Sequence, residues 1–520
     1  MSQFSGRVLL GDLDDFISPS QTCTTGVFSS NATEAGKAHL VMEDDLGSSF
    51  GSSKADVIRT NVAKVASVSL ADCLACSGCV TSAETVLVQQ QSVDSFIELL
   101  KNEEATIIAM ISRPSCVSLA DRLGISVCEA YERMESLFYS YGVDIVVRED
   151  LGDFIAIAES LAEFDKRKSG DPAVSPLVTN PSYAFSKNTT LYPSEGTIIG
   201  SIDSLSLNPS DPSYTLLSTS QFFHSPHTQP GITTNAPFLT GYCPGLVCYV
   251  EKKFPRLVSS LSTTRSSQQI MAALLRRVVP GKSLRIVAMA SCFDRKLEAS
   301  RRDFREDDGS HEVDCVLSTQ EVFSLLSQPQ MQQKIQQRTR KEVTLPIALE
   351  AESGFDDRYD ASGGMLTALT REMERMNGVK ADYKEVRNKD YVEVTVKKDD
   401  AVVFRGAYVY GFRNIQNLVM KIKRGKCNYD AVEVMACPSG CLNGGGQIRP
   451  EKKEDMMKIA DRLAQLYEKD GVQFDLSKVL ERAKAVYDYL GIPVGGEEAY
   501  QLFHTRYHVI PEVTVNSLSW

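Results

Sequence analysis

The stretch VMACPSGCLNGGGQ, residues 434–447, places two cysteines four residues apart and follows them with three consecutive glycines. Two thiolates at this spacing can bind the same metal centre. Glycines leave the backbone bare, so the chain can pass close to a bulky inorganic group and donate amide hydrogen bonds to its sulfurs. The stretch therefore predicts a loop that wraps an iron–sulfur cluster. A glycine-rich turn beside two core cysteines is the alternative.

Apolar runs typical of buried strands alternate with stretches of helical periodicity along the chain. The runs lie at residues 105–113, 144–150, 284–290, 313–318, 392–396 and 431–436. Helical spacing marks residues 119–137, 456–466 and 477–490. This alternation predicts an α/β fold with parallel sheets.

Two further cysteines, Cys243 and Cys292, come where a strand or turn pattern ends. Side chains at strand ends face the crevice where α/β sheets bind ligands. Together with Cys437 and Cys441 they supply four thiolates, which is the number that a [4Fe-4S] cluster needs.

A second group, Cys73, Cys76 and Cys79, has C-x2-C-x2-C spacing near the N-terminus. Three thiolates this close can converge on one iron–sulfur cluster or one zinc ion. The fourth ligand must come from elsewhere. Cys23 is the nearest upstream candidate, and a structural cysteine is the alternative there.

The remaining residues that could bind metal are assigned to other roles. His504 and His508 are four residues apart, but Thr505, Val509 and Pro511 weaken a helix there, so a partner pair or a surface location is expected. The isolated cysteines are expected in the core: Cys116, Cys128, Cys248, Cys315 and Cys427.

Composition limits the partners and the compartment. A net charge of -11 argues against nucleic acid as a partner, and no apolar run reaches the roughly 18 residues that span a bilayer. The N-terminal residues lack the features of a secretory or transit peptide. With 13 cysteines at irregular spacing, a reducing compartment is expected, the cytoplasm or the nucleus.

Five segments follow from these patterns and from changes in composition. They are a cluster-binding region at 1–100, the first part of the α/β fold at 101–165, a Ser/Thr/Pro-rich insertion at 166–236, the main α/β region with the second cluster site at 237–495, and a tail at 496–520.

The three C-terminal cysteine stretches, taken together, resemble the signatures of the iron-only hydrogenases, which read roughly TSCCPxW, MPCxxKxxE and ECxxCxxGCxxGGGQ. The match covers roughly residues 105–447 without the insertion. VDCVLSTQEV (313–322) and ASGGMLTAL (361–369) look like two further segments of that fold. The resemblance implies an iron-only hydrogenase-like fold: two lobes with mostly parallel sheets flanked by helices, plus a small N-terminal cluster-binding region.

The N-terminal cysteines look like the single N-terminal cluster of a eukaryotic branch, the nuclear prelamin A recognition factor-like proteins, which serve as cytosolic iron–sulfur protein assembly factors. This resemblance implies two [4Fe-4S] clusters and assigns Cys23 as a ligand of the first. It also implies delivery of clusters from a scaffold to the targeting complex that loads cytosolic and nuclear apoproteins. The ligand sets would be Cys23, Cys73, Cys76 and Cys79 for one cluster and Cys243, Cys292, Cys437 and Cys441 for the other.

Three departures from the hydrogenase signatures bear on activity. Tyr242 stands where an active hydrogenase has a proton-relaying cysteine, and a phenol with a pKa of about 10 is a poor relay at neutral pH. Ser291 and Arg295 replace the signature proline and lysine. The sequence therefore predicts a protein that is not an enzyme. A hydrogenase-related redox enzyme or electron-transfer protein is the first alternative, and a zinc-stabilised interaction protein is the second.

The last three residues, Leu518, Ser519 and Trp520, contain the chain's one tryptophan. They are similar to the short aromatic tail by which the resembled family and its clients dock on the targeting complex. Aromatic side chains dominate interface energetics, so docking is the favoured interpretation. A frayed terminus is the alternative.

Overall fold

A computed structural model describes residues 87–169, 236–279, 283–327, 362–449, 456–469 and 474–510, with a few positions between 340 and 349. In these ranges no helix has the length and apolarity needed to cross a bilayer. The four N-terminal cysteines, nearly all of the insertion and the terminal tripeptide lie outside the described residues.

Within the described ranges, nine strands form two sheets. In chain order they are β1 (Thr106–Ile111), β2 (Ile145–Arg148), β3 (Phe238–Thr240), β4 (Leu284–Ala290), β5 (Cys315–Ser318), β6 (Ala381–Glu385), β7 (Tyr391–Lys398), β8 (Ala401–Tyr410) and β9 (Ala431–Met435). The first sheet has the order β2-β1-β4-β5 and is parallel throughout. Its central strands are buried on both faces, which explains their continuous apolar sequences.

The second sheet has the order β3-β9-β8-β7-β6. Its first three strands are parallel, whereas β7 pairs antiparallel with both β8 and β6. The expected mostly parallel α/β fold is confirmed, with an antiparallel edge that the sequence patterns did not reveal. The two positive-φ residues Asp399 and Asp400 make the tight turn between β7 and β8.

Helices flank both sheets. They are α1 (Val93–Leu100), α2 (Arg113–Leu123), α3 (Val127–Ser140), α4 (Asp150–Ser169), α5 (Pro244–Lys253), α6 (Ser267–Val278), α7 (Asp294–Ala299), α8 (Thr319–Ser327), α9 (Met365–Asn377), α10 (Phe412–Lys423), α11 (Met456–Lys469), α12 (Leu476–Leu490) and α13 (Glu497–Phe503). The apolar core beside α4 also contains side chains from β1 and β4 of the first sheet, from α9 and from α12. It therefore joins the first sheet to elements around the second.

The predicted strands and C-terminal helices all lie where the sequence placed them, with small shifts at their ends. The helical stretch 119–137 is divided between α2 and α3, because Gly124 adopts φ +66 and ends α2. The expected start of the insertion, at 166, falls inside α4. The predicted tail begins with α13, whose Phe503 is fully buried in the core.

Gly152 permits the close contact between α4 and α6. A Cβ at this position would lie 2.5 Å from the Ser267 carbonyl oxygen and 2.8 Å from Met271 Cγ. We expect Gly152→Ala to lower the free energy of unfolding by about 1–3 kcal/mol, because the helices must separate. Urea denaturation followed by circular dichroism measures this. Asp165→Ala, at an exposed position of the same helix, is the control and should change it by less than about 0.5 kcal/mol.

Candidate metal centre

The carboxyl ends of the parallel strands in the two sheets converge on one place. Cys292 follows β4 of the first sheet, while Cys243 follows β3 and Cys437 follows β9 of the second. Cys441 lies four residues further on, in a 3-10 turn at Gly440–Asn443. Loops after strand ends are the usual place for ligands in α/β folds. The four predicted cysteines therefore come from three loops that meet between the sheets.

The glycine run locks two of these loops together. A Cβ on Gly444 would lie 2.3 Å from the Ser291 carbonyl oxygen, and one on Gly446 would lie 3.2 Å from the Cys292 amide nitrogen. The Gly446 amide donates to the Ser291 carbonyl at 2.8 Å, and the Gly444 amide donates to the Cys441 carbonyl at 3.1 Å. The expectation that these amides serve cluster sulfurs is therefore wrong for Gly444 and Gly446. The absence of a Cβ at these two glycines permits their close contact with the Ser291–Cys292 backbone.

Hydrogen bonds fix the other cysteine loops. Cys243 caps the start of α5, and its sulfur accepts from the Ala436 amide at 3.4 Å, which ties it to the loop of Cys437. The Cys441 amide donates to Ser362 Oγ at 3.1 Å. The loop geometry is thus set by contacts within the protein.

The four thiols are electrostatic neighbours. Burial raises the pKa of Cys243 to about 12, and the Cys437 thiol beside it adds to that rise. Burial also raises the pKa of Cys292 and of Cys441, and in both cases Cys437 contributes in the same direction. Uncompensated thiolates here would repel one another. A cationic metal centre would reverse this, because coordinated thiols are deprotonated.

This donor set fits a [4Fe-4S] cluster in number and chemistry. Cys437 is 8% exposed and the other three are half-buried, so the thiols lie at a partly shielded position between the sheets. Among the described side chains, no three His, Cys, Asp or Glu groups are close enough to share one metal ion. A [4Fe-4S] cluster does not require its ligands to share one ion, because each thiol binds a different iron and the irons occupy alternate corners of a cube.

Beside Cys441, a small polar cavity contains Tyr242. The Tyr242 hydroxyl donates to Asp153, and the Arg295 guanidinium lies 4.8 Å from the centre of the ring. The ring also packs closely against Gly363, which adopts φ +101. A Cβ at Gly363 would lie 2.5 Å from the ring. Burial and the adjacent Asp153 carboxylate raise the Tyr242 pKa well above its usual value. The phenol stays protonated at neutral pH.

Arg295 occupies the position of the signature lysine. It is 8% exposed and donates to Glu298 at 3.0 Å, and its charge offsets part of the rise that burial causes in the pKa of Cys441. The free volume of this cavity is about 20 Å³, enough for one or two waters. Tyr242 and Arg295 therefore line a small cavity that reaches Cys441.

Sequence reasoning missed most of the residues around Tyr242. Asp153, Glu149 and Ser267 line the cavity from α4, the loop after β2, and α6. No spacing pattern connects them to the cysteines, because they converge only in three dimensions. Gly363 belongs to the segment ASGGMLTAL, whose glycine pair was the available signal.

One expectation about the isolated cysteines needs correction, whereas both histidines have partners as expected. Cys128 is exposed on α3, whereas Cys116, Cys315 and Cys427 are buried as predicted and Cys248 is half-buried. His504 is 6% exposed and lies within hydrogen-bonding distance of Thr263 and Glu159, so it holds the chain after α13 against α4. His508 contacts Asp303 at 2.6 Å.

Comparison with known proteins gives consistent results. Residues 215–445 match the family described as the C-terminal domain of the iron-only hydrogenase large subunit. The chain is 34% identical to cytosolic iron-sulfur assembly component 3 of Mus musculus over the full length of both. It is 32% identical to cytosolic Fe-S cluster assembly factor narfl of Xenopus tropicalis over 98% of each chain.

Among solved structures, the chain is similar to a variant of the [FeFe]-hydrogenase HydA1 from Chlamydomonas reinhardtii. The TM-score is 0.57 at 20% identity, with 80% of this chain and 98% of that chain covered. This likeness confirms the iron-only hydrogenase-like fold.

The contact between Tyr242 and Asp153 should contribute to stability. We expect Tyr242→Phe to lower the free energy of unfolding by about 1–3 kcal/mol, because a buried carboxylate loses a hydrogen-bond donor. Urea denaturation measures this. Tyr383→Phe is the control, since Tyr383 is 51% exposed. Equal effects of the two substitutions would contradict a role for the buried contact.

Proposed function

The chain belongs to the family of cytosolic iron–sulfur cluster assembly factors, and from this premise we propose that it carries two [4Fe-4S] clusters and delivers clusters from a scaffold to the targeting complex that loads cytosolic and nuclear apoproteins. Cys23, Cys73, Cys76 and Cys79 would hold one cluster. Cys243, Cys292, Cys437 and Cys441 would hold the other.

The observation that carries the second site is the convergence of four thiols from three loops. Each loop is fixed by its own contacts, as in the Gly446–Ser291 hydrogen bond and the Cys441–Ser362 hydrogen bond. A site that is organised before it binds loses little entropy on binding. These contacts support a firmly held cluster between the lobes. The N-terminal cluster, on three closely spaced cysteines, would be the more exposed and labile one.

Hydrogen turnover is not part of this proposal. A relay group must lose and regain a proton near neutral pH, whereas the pKa of Tyr242 is raised well above its ordinary value. The ring and Arg295 also line a cavity beside Cys441 that has room for one or two waters, which leaves little space for a further metal group. These two facts favour a non-enzymatic assembly factor over a hydrogenase or related redox enzyme.

We propose docking of the targeting complex through Leu518, Ser519 and Trp520, with the cytosol as the compartment and the nucleus as a second one. The chain before this tripeptide is firmly anchored up to Ile510. The Ile510 amide donates to the Glu251 carbonyl at 3.0 Å, and the His508 amide donates to the Glu251 carboxylate at 2.9 Å. Trp520 is the tenth residue after this fixed point and cannot reach further than about 35 Å from it.

Removal of one thiol tests the cluster site. For anaerobically purified protein we expect about eight irons and eight sulfides per chain, falling to about four of each in Cys437→Ala. Iron, sulfide and zinc analysis with EPR spectroscopy measures this. Zinc in place of iron and acid-labile sulfide would overturn the proposal.

Cys427→Ala is the matched control, because Cys427 and Cys437 flank opposite ends of β9 and both are buried. It should keep the full iron and sulfide content. An equal loss in both variants would mean that the protein responds to damage near β9 and not to loss of a ligand.

Deletion of the terminal tripeptide tests docking. We expect the truncated protein to bind the purified targeting complex at least about tenfold more weakly, since buried aromatic anchors carry much of the binding energy of an interface. Its iron and sulfide content should not change. Surface plasmon resonance measures the affinity. Unchanged affinity would remove the docking proposal and leave the cluster proposal intact.

A further inference from the structure

Two short stretches of this acidic chain are densely basic. EKKFPR (251–256) and KIKRGK (421–426) hold seven Lys and Arg among twelve residues, in a chain with 56 among 520 and a net charge of -11. The first stretch spans the end of α5, and the second spans the end of α10. Nothing in the sequence indicates that the two stretches meet.

The structure brings them together. Lys423 Nζ lies 4.5 Å from the centre of the Phe254 ring, between the two stretches. Tyr249 of α5 stacks edge-on against Phe412 of α10 and against Phe254. The Lys423–Phe254 contact places the end of α10 beside the end of α5, and the Tyr249–Phe412 contact packs the start of α10 against α5. We call the resulting exposed surface the basic patch; it consists of Lys253, Arg256, Lys423, Arg424 and Lys426.

Lys423, Arg424 and Lys426 of the basic patch are not neutralised by the described carboxylates. Glu251, the single carboxylate within the two stretches, is 2% exposed and pairs with Arg301 at 2.7 Å. Within the described part of the chain, Lys423, Arg424 and Lys426 form no ion pair with a carboxylate. One or two cations suit the negative end of a helix. The basic patch continues beyond the last residues of α5 and α10, to Arg256 and Lys426. Its positive charge therefore exceeds what the two helix ends require.

The basic patch also lies where the described chain ends. Ile510 is held by Glu251, the residue immediately before Lys252 and Lys253. Tyr507 and Val509 pack on the same apolar cluster as Phe254. The terminal tripeptide lies within about 35 Å of Ile510. A protein bound by the tripeptide is therefore held at a distance from which it can contact the basic patch.

We propose that the basic patch is a second docking surface for the protein that binds the terminal tripeptide, and that this partner presents an acidic protein face to it. The inference rests on the docking proposed above. Charge complementarity of this kind mainly speeds association, whereas the tripeptide supplies the anchor that slows dissociation. Two linked contacts also raise affinity beyond either one alone. The distance from Cys243, at the start of α5, to the basic patch is the length of that ten-residue helix, about 15 Å.

Charge reversal tests this inference on the full-length protein with its clusters. We expect K423E/R424E/K426E to associate with the purified targeting complex at least about tenfold more slowly at low salt. The difference from the unmodified protein should disappear at 1 M salt, where the Debye length is about 3 Å. K423Q/R424Q/K426Q should give a smaller decrease and guards against misfolding of the first variant. Stopped-flow fluorescence measures the rates.

K380E/K397E/K398E is the matched control, because these lysines are exposed near the paired start of β6 and end of β7 and are not part of the basic patch. It should associate like the unmodified protein. Equal slowing by this control would overturn the inference, since net charge alone would then explain it. Unchanged association rates in both basic-patch variants would also overturn the inference. If deletion of the tripeptide still lowered the affinity, the docking proposal would stand. If neither the deletion nor the variants had an effect, both proposals would fail.

A 20-nucleotide RNA tests the other class of acidic partner. It should not displace the targeting complex at concentrations where a glutamate-rich peptide of twelve residues does. Displacement by the RNA alone would assign the basic patch to nucleic acid and overturn the inference.

Discussion

The contact between the Ser291–Cys292 backbone and the glycine run is the constraint on which the rest of the site depends. It joins the loop after β4 of the first sheet to the loop after β9 of the second. No side chain fits between them, since a Cβ on Gly444 would lie 2.3 Å from the Ser291 oxygen. Because Cys292 is on one side of this contact and Cys437 and Cys441 are on the other, the contact sets the separation of three of the four thiols.

The positions of the thiols and the shape of the neighbouring cavity depend largely on different parts of the structure. The strands and the cysteine loops determine where the thiols lie, whereas Tyr242 and Arg295 line the neighbouring cavity. This separation explains how one architecture serves a redox enzyme in some proteins and cluster assembly in others.

The sequence predicted the parts of the structure that local patterns encode. The buried strands β1, β4, β5 and β9 are short, mainly apolar runs, and Cys292 and Cys437 follow the ends of β4 and β9. It did not predict β6, whose residues are mostly exposed and form no apolar run, and so it missed the antiparallel edge that β7 makes with β6 and β8. It also misjudged the glycine amides. The Gly446 amide donates to Ser291, more than a hundred residues away, and no local pattern reports such a pair.

Tyr242 and Gly363 restrict how the sequence of this site can change during evolution. Gly363 tolerates no side chain while the ring is present, because a Cβ would lie 2.5 Å from Tyr242 Cε1. Conversely, a small residue at position 242 would leave an empty volume beside Arg295, with the destabilisation that cavities cause. The two positions are thus epistatic. A cysteine at position 242 would supply a thiol but would not fill the space that the ring occupies, so a single substitution there carries a cost that only a change at a second position can offset.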